Sequence, residues 1–132
     1  MSKYTFTITE PRKDSFRVYF KYNGKKIFFS ESLTSKQNAF GNIASSRSNA
    51  DAPTVDTTLG ESRKGKRFEI VEGRGSKAGE YYVRFFAANG EMLSHTEHYT
   101  TKANAENAIY AMQCNAAEAK TKDETVDHRS TA

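Results

Sequence analysis

Apolar and polar positions alternate along two stretches of this chain. Phe16, Val18, Phe20 and Tyr22 are spaced by two, with Arg17, Tyr19 and Lys21 between them. Tyr81, Val83, Phe85 and Ala87 repeat the pattern, with Tyr82, Arg84 and Phe86 between. A period of two marks a strand with one buried side and one open side. Shorter runs precede each, "YTFTI" (4–8) and "KRFEI" (66–70), where Phe6, Ile8, Phe68 and Ile70 take the apolar side. Asn23-Gly24 and Asn89-Gly90 follow the longer runs. This dipeptide between apolar runs signals a hairpin, so a third strand is expected after each.

Downstream the period changes to that of a helix. Ala39, Ile43 and Ala50 share one helical face, as do Ala105, Ile109, Met112 and Ala116. Ser35 and Thr101 stand where a hydroxyl can accept a free N–H of the first turn. Both apolar stripes are narrow and built of small residues, which suits a helix lying on a sheet. A polar, β-permissive stretch follows each helix, "PTVDTT" (53–58) and "AKTKDETV" (119–126). A closing strand is predicted in each.

The two halves carry the same residues 66 positions apart. Glu31, Thr34, Lys36, Asn38-Ala39, Ile43 and Asn49-Ala50 match Glu97, Thr100, Lys102, Asn104-Ala105, Ile109 and Asn115-Ala116. Upstream of the turn the match holds only if the first turn is one residue shorter, because a one-residue slip would send every side chain to the wrong face. The loop "EGRGSKAG" (72–79) is the long connection of a hairpin in the second half. The fold class is α+β, with two tandem βββα(β) repeats, 1–60 and 61–126, in one compact domain. Both helices are expected on one sheet face, and 127–132 as a disordered tail. A unit of about 60 residues buries too little surface to be stable alone, so each repeat is expected to need the other.

The segment "AGEYYVRFFAANGEMLSHTEHYTTKANAENAI" resembles the YegP-like family of small bacterial and archaeal proteins, the DUF1508 domain, a family of unknown function. The resemblance rests on Ala88-Asn89-Gly90, Glu97, Tyr99, Lys102, Ala105 and Ile109. In the first half it rests on Asn23-Gly24, Ser30-Glu31, Ser35-Lys36, Ala39 and Ile43, with Leu33 in place of the tyrosine. It covers roughly residues 4–58 and 67–126. It implies tandem or dimeric βββα units built into one antiparallel sheet, with the closing strands exchanged between units. It supplies no activity and no catalytic residues.

Composition narrows the function classes. Of 132 residues 36% are hydrophobic, but nine Phe and seven Tyr supply large packing units. The single cysteine, Cys114, forms no internal disulfide, and a reducing compartment is expected. No stretch reads as a signal peptide or membrane span, so a cytoplasmic protein without membrane contact is expected. The net charge of +4 is uneven. Residues 1–60 carry nine Lys/Arg against five Asp/Glu, 61–74 five against three, and the remainder six against eight. A basic first part can attract a polyanion, although a charge this small is also ordinary solvation.

The candidate chemistry lies on the open side of the second strands. Arg17, Tyr19, Lys21, Tyr82, Arg84 and Phe86 interleave rings with cations, the composition of a surface that stacks bases and meets phosphates. The same residues suit a protein interface or plain cross-strand pairing. No Gly-Phe/Tyr ribonucleoprotein motif accompanies them. Arg63, Lys64, Lys66 and Arg67 form a second, basic candidate patch, with a solubilising linker as its alternative. His95 and His98 flank Glu97 but are three apart in an expected strand, which places them on opposite faces and argues against a metal. Cys114 reads as a small helical residue, not a nucleophile. The chain lacks a P-loop, a dinucleotide glycine fingerprint and a Gly-x-Ser-x-Gly elbow. No enzyme activity, catalytic residue, cofactor or metal is expected. The expectation is a non-enzymatic interaction module, protein-binding through the open sheet face, acting as a monomer or homodimer. Nucleic-acid binding by the sheet and linker is the alternative, and an anion or small-molecule site between the repeats the third.

Overall fold

Residues 3–125 are described by the computed structural model of this chain. Their elements run β1 (Tyr4–Arg12), β2 (Ser15–Tyr22), β3 (Lys25–Phe29), α1 (Lys36–Asn49) and β4 (Thr54–Asp56) in the first half. The second half repeats the order with β5 (Arg67–Glu72), β6 (Tyr81–Phe86), β7 (Met92–Thr96), α2 (Lys102–Asn115) and β8 (Lys120–Asp123). The tail expected at 127–132 lies outside the described residues.

Local chemistry accounts for the element ends. Ser35 Oγ accepts the Asn38 N–H at 3.0 Å, and Thr101 Oγ1 accepts the Asn104 N–H at 3.1 Å, so both helices start at the expected caps. Asn23 and Gly24 both take positive φ, 50° and 86°, which makes β2–β3 a two-residue hairpin. The β6–β7 connection spans 87–91 and takes positive φ only at Gly90. The two turns therefore differ in length, as the slipped repeat required.

One sheet holds all eight strands in the order β4-β5-β6-β7-β3-β2-β1-β8. β3 and β7 meet at the centre, Phe28 opposite Thr96 and Phe29 opposite His95. The closing strands are exchanged: β4 pairs with β5 of the second half, and β8 pairs with β1 of the first. Both pairings are parallel, so the sheet is mixed and not wholly antiparallel as the resemblance implied. The direction follows from the crossover. Each helix carries the chain back across the sheet, so the next strand runs alongside the other half's first strand in the same sense. β4 is also shorter than expected, because residues 57–59 tighten into a 3-10 turn.

Both helices lie on one face. Ala39 and Ile43 of α1 and Ala105, Ile109 and Met112 of α2 join one buried cluster with Phe6, Ile8, Val18, Phe20, Phe28, Phe68, Ile70, Val83 and Phe85. Phe28 is the seam between halves, with ring centroids 6.3 Å from Phe20, 6.2 Å from Phe68 and 6.2 Å from Phe85. Tyr22, expected on this buried side, is 42% exposed, because it ends β2 beside the turn and packs on Tyr4 at 4.8 Å. Polar links also cross the halves. Arg47 of α1 donates to the Ala116 and Ala119 carbonyls at 3.3 and 2.6 Å, and Gln113 of α2 donates to the Ala52 carbonyl at 3.1 Å.

Candidate functional site

Neither helix covers the other face of the sheet. Arg17, Tyr19 and Lys21 of β2 and Tyr82, Arg84 and Phe86 of β6 all lie there, each half-buried. Two register shifts bring further side chains beside them. In β3 the pairs Phe20–Phe28 and Lys21–Lys26 leave Ile27 as an extra residue, so Lys26 and Phe29 share the open side. In β7 the pairs Phe85–Ser94 and Phe86–Met92 leave Leu93 extra, so Met92 and His95 share it too.

The register lines these residues into a row across the strands. Thr7 faces Tyr19, Tyr19 faces Phe29, Phe29 faces His95, His95 faces Arg84, and Arg84 faces Glu69. Phe29 meets Tyr19 and His95 edge-on, with centroids at 6.1 and 5.5 Å. At one end of the sheet, Lys120 and Lys122 of β8 stand beside Thr5 and Thr7. Lys21 is drawn toward Glu124 at 3.8 Å.

Several ring faces on this side already hold a cation. Lys26 Nζ lies 4.2 Å from the Tyr19 centroid, and the Arg67 guanidinium lies 3.9 Å from that of Phe86. Arg67 also pairs with Glu69 at 2.7 Å. Arg84 Nη2 donates to the Tyr82 hydroxyl at 2.7 Å, and the Tyr82 ring rests 4.7 Å from His98.

Two members of the linker's basic cluster are engaged. Arg67 enters β5 and joins the open face, and Lys66 pairs with Asp51 at 2.8 Å. Arg63 and Lys64 are exposed. Cys114 is an exposed residue of α2.

His95 and His98 do not point to opposite faces. β7 ends at Thr96, so strand alternation no longer governs His98, and both imidazoles line one cavity of about 910 Å³. The cavity lies over β6 and β7, walled by the 73–77 stretch of the long loop. Burial, with the Glu97 carboxylate behind it, pushes the neighbouring Tyr99 hydroxyl up from its ordinary pKa. Among the described residues no group of three His, Cys, Asp or Glu is placed to hold a metal ion. No helix among them is long and apolar enough to cross a membrane.

Sequence reasoning missed Lys26, Phe29, Met92, Lys120 and Lys122. Lys26 and Met92 reach the open side through the bulges, and Phe29 by facing Tyr19. Lys120 and Lys122 do so only because β8 joins the far half.

Known proteins resemble this chain along its length. A family model described as a domain of unknown function (DUF1508) matches residues 76–123. A UPF0339 protein of Agrobacterium fabrum is 46% identical over 59 residues, which is 45% of this chain and 90% of that protein. The UPF0339 protein YegP of Escherichia coli is 29% identical over 121 residues, 91% of this chain and 96% of that protein. The solution structure of the Escherichia coli yegP protein, itself described as of unknown function, superposes with a TM-score of 0.71 at 26% identity, covering 97% of this chain and 98% of that one. A UPF0339 protein from Shewanella oneidensis shares the fold, with a TM-score of 0.74 at 21% identity over 98% of each chain.

Proposed function

This chain belongs to the UPF0339 family of YegP-like proteins of unknown function, and on that premise we propose that it is a non-enzymatic, cytoplasmic binding module whose open sheet face receives a protein partner. The observation that carries this reading is the row Tyr19–Phe29–His95–Arg84, half-buried aromatics and a cation that cross both halves with no helix over them. Aromatic residues and arginine are the side chains that anchor protein interfaces. The partner segment is acidic. Arg17, Lys26, Lys120 and Lys122 form no ion pair among the described residues, so the face offers uncompensated positive charge.

A nucleic-acid strand is the second reading, favoured by one observation: Lys120, Lys122 and Lys21 stand around Thr5 and Thr7 at the β8 edge. The covered rings weigh against it. A base stacking on Tyr19 or Phe86 has to displace Lys26 or Arg67 from the ring face.

Capture experiments with the purified chain separate the two. The protein reading predicts that Tyr19→Ala plus Phe86→Ala abolishes the captured protein while the thermal midpoint is kept. Retained nucleic acid that elutes steeply with salt and depends on Arg17, Lys21 and Arg84 would transfer the function to the second reading. A double variant that retains every captured protein would overturn the first reading, and nucleic acid retained after Arg17, Lys21 and Arg84 are replaced would overturn the second.

A further inference from the structure

The wall of the cavity over β6 and β7 comes from one half only. In the first half, β1 and β2 are joined by residues 13–14 alone. In the second, the loop 73–80 between β5 and β6 is longer, and Arg74 and Lys77 from it form a wall above the sheet. The floor is apolar, with Phe29, Phe86 and Met92. Its volume of about 910 Å³ falls among those of small-molecule sites.

Arg84 stands in this cavity with no ion pair among the described residues. Its register neighbour Glu69 is taken by Arg67 at 2.7 Å. Its own bond goes to the neutral hydroxyl of Tyr82 at 2.7 Å, which fixes the guanidinium. Two carboxylates, Glu72 and Glu97, line the same cavity, and neither forms an ion pair with Arg84. Glu72 accepts the Gly79 N–H at 3.1 Å, and Glu97 is exposed at the rim. A half-buried guanidinium that is oriented but unpaired has donors left over, and a planar oxyanion fits their fork. Beside it lies a face of rings and a thioether that suits an aromatic body.

We propose that this cavity is a small-molecule site for an aryl oxyanion, its carboxylate or phosphate on Arg84 and its ring against Phe29 and Met92. The site needs no protein partner, and its test uses defined probes with the whole chain. The probes are 2-naphthoate, 2-naphthyl phosphate and inorganic phosphate, titrated into isotope-labelled protein and followed by amide chemical shifts. One or both naphthyl probes are expected to give saturable shifts at Tyr82, Arg84 and His95, with the tighter of the two naming the natural oxyanion. Inorganic phosphate is expected to bind more weakly at the same amides. Arg84→Gln is expected to weaken the naphthyl probe about ten-fold or more, the size of a lost charge-assisted bond. Met92→Glu, which adds a carboxylate to the floor, should also expel it, and retained spectra will show that both variants fold. The proposal is overturned if neither naphthyl probe saturates at these amides, or if Arg84→Gln binds as tightly as the unaltered chain.

Discussion

Lys102 Nζ, in the first turn of α2, lies 3.0 Å from Asp56 Oδ2 at the end of β4. The other half repeats the contact, with Lys36 Nζ 3.0 Å from Asp123 Oδ2 at the end of β8. Each pair joins a helix of one half to the closing strand of the other, so the exchanged strands are clasped at both edges of the sheet. Each carboxylate also holds the threonine two residues on, Thr58 and Thr125, through its hydroxyl and N–H. Burial pulls the Asp56 carboxyl up. The Thr58 hydroxyl, Lys102 and the Thr58 N–H outweigh it and hold the group below the usual carboxylate range. At Asp123 the Thr125 hydroxyl leads, burial opposes, and Lys36 adds to the same lowering.

A carboxylate depressed in the fold binds fewer protons there than in the unfolded chain, so its stability is present above about pH 4 and lost as pH falls through its folded value. Asp56→Asn plus Asp123→Asn should therefore flatten the acid limb of stability. Thermal midpoints measured from about pH 6 down to about pH 2 check this. A limb as steep as that of the unaltered chain would assign the acid sensitivity to other groups.

Arg47 offers a second test of how the halves are joined. Besides the Ala116 and Ala119 carbonyls it reaches Thr121 Oγ1 at 3.0 Å, and its guanidinium lies over Phe6 at 5.3 Å. Arg47→Ala is expected to cost about 2–3 kcal/mol in urea unfolding, because several acceptors lose one charged donor together. Gln113→Ala, which loses one neutral bond to Ala52, should cost about 1 kcal/mol.

These links explain what the sequence made visible and what it hid. Strand alternation at Phe16–Phe20 and Tyr81–Phe85, the caps at Ser35 and Thr101, and the different lengths of the two Asn-Gly turns follow from rules spanning a few residues. The parallel pairing of β8 does not. Its four residues, Lys-Thr-Lys-Asp, are all exposed, and its partner β1 lies more than a hundred positions away. No local pattern encodes that choice. For the same reason Lys120 and Lys122 were absent from the expected open face. The histidines failed differently: two-residue alternation was carried past Thr96, where the strand ends.

Ser30 and Thr96 hold equivalent places at the ends of β3 and β7. Each hydroxyl oxygen accepts a buried N–H, that of Val18 or Val83, at 2.9 Å, and each hydroxyl donates to the next carbonyl at 2.8 Å. Thr96→Val keeps the shape and orphans the Val83 N–H, so a loss of about 1–3 kcal/mol is expected from chemical unfolding. Thr96→Ser, which keeps the hydroxyl, should be milder.

Phe28 tests whether the halves melt as one. It is 1% exposed and its ring meets aromatics from both halves. Phe28→Ala is expected to cost about 3–5 kcal/mol. Far-ultraviolet circular dichroism and tyrosine fluorescence should shift together, as a single cooperative transition requires. Two separated transitions would mean that the halves are independent.

The central claim is that this protein binds through its open sheet face. Site-specific photo-crosslinking in cells tests it most directly, with the photoreactive residue placed at Arg17 or Tyr82 on the open face, or at Glu106 or Tyr110 on the outer side of α2. The account predicts discrete protein adducts from Arg17 and Tyr82 and none from Glu106 and Tyr110. The same adducts from the α2 positions, or none from the sheet, would contradict it.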